Sequence, residues 1–464
     1  MKNQELPSLN YVFLLKQTTL EQPFISIKMM IVQQILFVII SIVAFYLFAK
    51  KASEIRRNIL LGRDEDLTDQ SEKRWKNMVL LAFGQKKMFK KPIPAILHLF
   101  VYVGFVLINI EVLEILIDGV FGTHRALEAP LGSFYHFLIG FFEILAVLTL
   151  IAVISFLVRR NILKVKRLSM AELDGFPKRD ANTILYIEVV LMSMLLIMNA
   201  SEGAIMLQEG TGNGFLISTM LAPAIVGLSP ESLHLIERIC WWGHILGIYA
   251  FLNYLPYSKH FHILLAFPNA YYQRLTPQAE MRNMKDIQNE VLYMMQPELA
   301  PPPPADGSQP ATSAFGAKDV KDLSWKNLMD AYACTECGRC TDACPANTTG
   351  KKLSPRKIMM ATRDRLEEVG TNINQNKTFV EDGKTLLHDY ISVEELRACT
   401  TCQACVEACP VSISPLDIIA QLRRNLVMEE SNAPQEWNLM FSNIETNMAP
   451  WKFSPDERDA WIHS

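Results

Sequence analysis

Five stretches of the chain are almost continuously apolar, at roughly 27–49, 94–120, 134–158, 181–205 and 233–256, with polar segments between them. Written as helices at about 1.5 Å per residue, each is long enough to cross a hydrocarbon core of about 30 Å. A soluble bundle of buried helices is the alternative reading of the same pattern. Beyond residue 318 the pattern changes. Apolar residues there recur at helical spacing in SPRKIMMATRDRLEEV and SPLDIIAQLRRNLVMEE, each opened by a Ser-Pro helix start. No strand pattern of comparable length accompanies them, so both parts read as all-α. Between the parts, Gln296–Ala317 combines consecutive prolines with Gly, Ser and Ala, which cannot bury a core and reads as a semi-rigid tether.

Composition supports this division. Half of the 464 residues are hydrophobic and mean hydropathy is +0.14, yet the last third is ordinary and polar. Charge adds an orientation. Lys and Arg crowd the segments after the first block (AKKASEIRRN through FGQKKMFKK) and after the third (RRNILKVKR), whereas Ser201–Ser232 has neither. The positive-inside rule places the basic segments in the cytoplasm, and five spans then put the N-terminus outside and the C-terminal part inside. The first block follows more than about twenty residues and lacks a small-residue cleavage site, so it reads as an anchor and not as a signal peptide. The expected location is a bacterial cytoplasmic (inner) membrane. A net charge of −3, with no basic stripe outside the membrane-flanking loops, argues against nucleic acid as a partner.

Eight of the nine cysteines form two copies of one pattern: Cys334, Cys337, Cys340 and Cys344 before Pro345, and Cys399, Cys402, Cys405 and Cys409 before Pro410. The run C-x2-C-x2-C-x3-C-P wraps cubane iron-sulfur clusters, three thiolates curling around one cluster while the fourth reaches its neighbour. Two 4Fe-4S clusters are expected, with crossed ligand sets: Cys334, Cys337, Cys340 with Cys409, and Cys399, Cys402, Cys405 with Cys344. Zinc is the plainer alternative, but structural zinc prefers paired C-x2-C hooks. Disulfides would need an oxidising compartment. Cys240, in an apolar stretch, reads as a buried small hydrophobe.

Histidines in the apolar part suggest a second cofactor. His98 lies near the inner end of the second block, His136 near the outer end of the third, and His244 and His262 on or just beyond the fifth. On one continuous helix the last two would share a face about 27 Å apart, which suits axial ligands of two stacked b-type haems. That register depends on the helix running through Pro256. Depth then pairs His98 with His262 and His136 with His244. Each alone reads as a satisfied structural residue, but four ionisable rings at matched depths are costly in a bilayer unless they function. His124 and His260 read as surface residues. Glu111, Glu114, Glu143, Glu188 and Glu237 also fall in or at the apolar blocks, as proton-path candidates or as helix-end carboxylates, and none is assigned a role. Lys259 reads as a partner for a haem propionate or as an interfacial anchor.

The string LPYSKHFHILLAFPNAYYQ, the five-span layout and the cysteine runs together resemble haem b membrane subunits of the nitrate reductase gamma type. They more closely resemble those joined to heterodisulfide-reductase-like iron-sulfur proteins. The tail FSNIETNMAPWKFSPDERDAWIHS is similar to the segment that precedes a cysteine-rich catalytic domain in fused members of that group. Two departures follow. Ile108 and Asn109 stand where a gamma subunit has a second ligating histidine on the second span, which leaves His136 as the substitute. No cysteine follows Cys409, so the CCG-type motifs of the catalytic cluster would come from a separate polypeptide that docks near the tail.

The resemblance implies a five-helix transmembrane bundle (N-out, C-in) followed by an all-helical ferredoxin-like domain. The expected segments are 1–26, an outer N-terminal piece; 27–275, the haem b-type membrane domain; 276–317, connector and linker; 318–430, the dicluster domain; and 431–464, a partner-docking tail. The implied function is that of an oxidoreductase subunit that carries electrons between a cytoplasmic partner and menaquinone through the clusters and haem b. That partner would be an electron-transfer flavoprotein or other flavin dehydrogenase, or a CCG-type iron-sulfur subunit. The alternatives are the reverse flow, quinol driving reduction of a disulfide or sulfur substrate, and a non-catalytic membrane-anchored redox sensor.

Overall fold

A computed structural model of the chain describes residues 9–210, 215–277, 280–302, 315–452, 454–457 and 459–464. Regular structure among these residues is helical, with only two isolated β-bridges, Arg63 with Ser324 and Leu387 with Ile391. The chain divides into two compact units. One joins the chain up to Ile55 with Met88–Phe261, and the other joins Arg56–Lys87 with His262–Ser464.

In the first unit the apolar blocks become helices: α1 (Leu9–Ile59), α2 (Pro92–Phe121), α3 (Ser133–Leu157), α4 (Phe176–Glu209) and α5 (Pro230–Tyr254). Among the described residues, four stretches are long and apolar enough to cross a membrane: Met30–Ile59, Pro92–Phe121, Ser133–Ile162 and Phe176–Glu209. The fifth block is helical as expected but stands outside that set, because α5 carries Glu231, Glu237 and Arg238 in its first half. Ser229 caps α5 by accepting from the Ser232 N–H, and Pro230 supplies the fixed φ of a first helical turn.

The long helices pack in sequence, α2 on α3, α3 on α4, and α4 along α5. Their shared core includes Ile108, Phe142, Leu195 and Ile245, with Phe37 inserted from α1 against Trp241. Small residues permit the approach, as is usual where helices meet without a hydrophobic drive from water. At Gly104 a Cβ would collide with Thr149 Oγ1, and at Gly119 with the Phe37 ring. From Met30 onward, Ala44, Ile55, Asn58 and Ile59 of α1 are buried as well, while Ile35, Ile39, Ile42 and Tyr46 are exposed, the outward face that lipid would cover.

The helix expected to carry both His244 and His262 does not run through. It stops at Tyr254, short 3-10 turns occupy Leu255–Tyr257 and Lys259–Phe261, and a new helix, α6 (His262–Tyr271), begins at His262 itself. Pro256 lacks the N–H that would continue the ladder, and Asp180 holds the turn by accepting from Tyr254 Oη (2.6 Å) and the Lys259 N–H (3.3 Å). Lys259 packs at the same turn: its Nζ donates to the Pro177 carbonyl at 2.7 Å and lies 3.8 Å from Asp180.

The second unit differs from the expected boundaries, since Arg56–Lys87 and the residues from His262 onward pack with the cysteine-bearing segment. The cause is a set of long-range bonds invisible to local pattern. Arg63 exchanges backbone bonds with Leu323 (2.7 Å) and Trp325 (3.0 Å), Asn58 donates to Tyr332 Oη, and Arg74 donates to the carbonyls of Tyr271 and Gln273. Part of the expected tether, residues 303–314, lies outside the described residues, as do residues 1–8 of the expected outer segment. The two Ser-Pro helices are present as α9 (Pro355–Asn376) and α12 (Pro415–Arg424), and Ser354 and Ser414 cap them by accepting from the N–H groups of Lys357 and Asp417.

Candidate functional site

Each cysteine run begins where a short capped helix ends. Ser324 forms a capping box with Asn327 at the head of α7 (Trp325–Ala333), and Cys334 follows directly. Ser392 does the same with Glu395 for α10 (Val393–Ala398), and Cys399 follows. One-turn helices then carry the middle of each run, α8 (Arg339–Asp342) and α11 (Ala404–Ala408), and Cys344-Pro345 and Cys409-Pro410 turn the chain toward the Ser-Pro helices. The two halves are thus structural repeats.

The loops between cysteines adopt the same unusual backbone twice. Glu336 and Thr401 have φ of 53° and 56°, and Gly338 and Gln403 have 73° and 62°. Such left-handed turns aim successive N–H groups inward, a cradle for negative charge. Thr401 N–H donates to Cys399 Sγ at 3.4 Å and Ile413 N–H to Cys409 Sγ at 3.3 Å.

The fourth cysteine of each run sits with the other run. Cys334, Cys337, Cys340 and Cys409 line one cavity, closed by Met359, Val411 and Ile413 and by the fully buried Arg356. Burial pushes the Cys409 thiol up to about 12, and Cys337 and Cys334 act in the same direction, which marks them as its neighbours. Cys405 is likewise pushed up to about 12 by burial, then by Cys399 and Cys344. Burial raises the Cys399 thiol as well, with Cys344 and Cys402 adding to it.

Among the described residues no three His, Cys, Asp or Glu side chains converge as around a single ion. The four thiols of a cubane each bond a different iron, so they bound a cavity instead, and the first set has that arrangement. Buried thiolates are costly without compensating positive charge, which coordinated iron supplies.

Sequence reasoning missed several supports of this site. Glu336, 4% exposed, pairs with Arg363 at 2.6 Å, and Arg356 reaches the Glu336 carbonyl. Thr341 and Ser354 share a 2.9 Å hydroxyl bond that ties α8 to the head of α9. Only the Ser-Pro-Arg string hinted at Arg356. The two sites differ in exposure at one thiol: each set has two buried cysteines, but Cys402 of the second is exposed, whereas Cys337 and Cys340 of the first are half-buried.

The histidines fare unevenly. His244 is 1% exposed on α5, and its Nδ1 has no hydrogen-bond partner among the described residues, the state of a ring nitrogen free to ligate. His136, its expected partner, has its side chain 48% exposed, with Nε2 at 3.8 Å from Glu128. His98 and His262 are half-buried and fall in different units. Of the two histidines read as surface residues, His124 is exposed, whereas His260 is half-buried with its ring 5.4 Å from Phe251.

A family of 4Fe-4S dicluster domains matches residues 333–413, which hold both cysteine runs. The chain is 28% identical over 461 residues to a probable iron-sulfur-binding oxidoreductase, FadF, of Bacillus subtilis, covering 93% of this chain and 61% of that protein. It is 26% identical over 414 residues to the EtfAB:quinone oxidoreductase of Syntrophomonas wolfei, covering 82% of this chain and 53% of the relative. Over 151 residues it is 26% identical to one polypeptide of a dihydromethanophenazine:CoB–CoM heterodisulfide reductase from Methanosarcina acetivorans, covering 31% of this chain and 36% of the relative. The chain therefore spans little more than half the length of its two long-matching relatives. No solved structure matches. These relatives are iron-sulfur oxidoreductases, which bears out the heterodisulfide-reductase-like part of the resemblance.

Proposed function

We propose that the chain is the membrane electron-transfer subunit of a quinone-linked oxidoreductase, carrying electrons between a cytoplasmic flavoprotein or CCG-type partner and menaquinone. The observation that carries this reading is the interleaving of the two cysteine runs in a unit joined to apolar helices. Cys334, Cys337, Cys340 and Cys409 would hold one 4Fe-4S cluster, and Cys399, Cys402, Cys405 and Cys344 the other. When bound, the clusters and haem b supply one-electron chemistry, and quinone couples it to a two-electron, two-proton change.

The chain's own residues set the order. The exposed Cys402 edge makes the second site the docking side for a partner, while the walls of the first site exclude water. The N–H groups of Thr401 and Ile413, which donate to Cys399 Sγ and Cys409 Sγ, would tune the two sites through the sulfurs. For haem b, the burial of His244 and its unpartnered Nδ1 support it as an axial ligand, with His98, His136 and His262 as the other candidates. A quinone-reducing role with an electron-transfer flavoprotein is favoured by the likeness to the EtfAB:quinone oxidoreductase. The reverse flow is favoured by the likeness to the heterodisulfide reductase polypeptide.

Parity supports the five-span, N-out, C-in layout. Arg56–Lys87 and His262–Ser464 belong to one compact unit, so the chain between them crosses the membrane an even number of times. Three of the four apolar helices lie in that interval, and α5 is the remaining helix that can make the count even. The basic segments favour a cytoplasmic side for this unit. The reading is tested on the purified, detergent-solubilised chain by iron, sulfide and pyridine haemochrome analysis, with reduced electron-transfer flavoprotein as donor and a menaquinone analogue as acceptor. About eight irons per chain, haem b, and reoxidation dependent on the quinone are expected. A preparation with both clusters that never passes electrons to quinone would sink the reading.

A further inference from the structure

Five carboxylates from three helices of the membrane unit surround one small cavity: Glu111, Glu114 and Asp118 on α2, Glu202 on α4 and Glu237 on α5, with His124 and Arg125 at its rim. It lies toward the end of α2 opposite His98. Four of the five are committed. Glu114 accepts from the Leu127 N–H (2.9 Å) and Tyr135 Oη (2.8 Å). Asp118 accepts from Thr123 Oγ1 and from the N–H groups of Arg125 and Ala126. Glu202 takes the Arg125 guanidinium at 2.6 Å, and Glu237 takes Arg238 at 2.6 Å. The nearby Glu143 of α3 is satisfied by Asn199 and by the N–H groups of Leu216, Ile217 and Ser218.

Glu111 is different. It is 3% exposed, and neither of its oxygens has a hydrogen-bond partner among the described residues. Arg125 does not supply one: its side-chain bonds go to Glu202, Tyr135 and Asn199. A buried carboxylate with no donor is costly unless it carries a proton or meets one. The space beside it suits a water molecule rather than a ring.

We propose that Glu111 is the proton-carrying carboxyl of the membrane unit, exchanging its proton with water admitted past His124. This deepens the quinone-linked reading, since quinone reduction consumes protons, and rests on it for its purpose. The step is a proton transfer alone: an O–H bond of hydrated proton in the cavity breaks, an O–H bond on Glu111 forms, and no electrons move. Glu114, Asp118, Glu202 and Glu237, held in place by their own donors, keep the cavity negative and attractive to a proton; Arg125 limits that field.

The test is infrared spectroscopy on the full chain, titrated with pH, comparing wild type with Glu111→Gln and Glu111→Asp. A protonated-carboxyl band that shifts in D2O, is lost in Glu111→Gln and moves in Glu111→Asp is expected, as is a fall in quinone reduction on the order of 100-fold with KM for quinone unchanged. If the glutamine variant does not accumulate, a hydrophobic carbodiimide on wild type decides, with Glu111 the modified peptide. An unchanged spectrum in Glu111→Gln, an unlabelled Glu111, or a band abolished by sodium, which would mean a cation site, overturns the inference. Quinone activity with an unchanged band removes this inference and leaves the quinone reading standing; a Glu111 band without quinone activity does the opposite.

Discussion

At the residue scale the crossed cysteine sets make a prediction that local sets do not. If Cys409 belongs with Cys337, then Cys409→Ser and Cys337→Ser each remove one cluster, and the double variant removes no more than either alone. Residues that serve one unit do not add. If instead each run held its own cluster, the same double variant would lose both. Iron and acid-labile sulfide per chain distinguish the cases: under the crossed arrangement about four irons remain in the double variant, whereas the pair Cys337→Ser with Cys344→Ser retains almost none; local sets would reverse the two outcomes. His244 makes a second prediction at this scale. Because its buried Nδ1 lacks a partner, replacing it by Gln, which keeps most of the side-chain volume, breaks no hydrogen bond at that atom and should abolish haem absorbance, while Ala would do so at the added cost of a cavity. A full haem content in His244→Gln, read by the haemochrome, would assign the ligand elsewhere.

At the scale of elements, α9 shows what holds the cluster unit together. Arg365 on this helix is fully buried and pairs with Asp319 (2.9 Å) and Asp382 (2.6 Å) while donating to the Lys384 carbonyl. It ties the start of the cluster segment to the loop that precedes the second cysteine run. Arg365→Ala leaves two carboxylates facing a void, a loss of about 3–5 kcal/mol for a buried pair broken on one side. The temperature at which the cluster absorbance bleaches should fall by many degrees, whereas a change within a degree of wild type would show the network to be solvated. This helix also shows what the sequence disclosed. The Ser-Pro start and apolar spacing marked α9 and α12, and the cysteine spacing marked the site, because capping and cluster wrapping are local and leave their residue types at fixed offsets. The Asp319 and Asp382 partners of Arg365 stood far away along the chain with no offset to announce them. The same reason hid the cavity at Glu111, assembled from α2, α4 and α5, whereas Pro256 was legible as the point on which a shared face of His244 and His262 depends, and the helix ends just before it.

At the scale of the whole molecule, the segment after the first apolar helix was legible only as basic charge, yet it is part of the cluster unit. Gly62 is where that matters: a Cβ there would stand 2.6 Å from the Trp325 nitrogen and 2.7 Å from the Ser324 carbonyl carbon. Those atoms are backbone, held by the exchange between Arg63 and residues 323 and 325, so they cannot yield without breaking it. Gly62→Ala should therefore destabilise the clusters by roughly 1–3 kcal/mol from a site remote in sequence, seen as faster iron loss to a chelator. Packing of this segment with the C-terminal residues also makes the proposed five-span layout testable by parity. A reporter that is active only outside the cytoplasm, inserted in the loop between α4 and α5, should be active, and the same reporter after Ser464 should be silent. Activity at both positions would mean that α5 does not cross; residues 56–87 and 262–464 would then lie on opposite sides, and Arg63 could not meet Leu323.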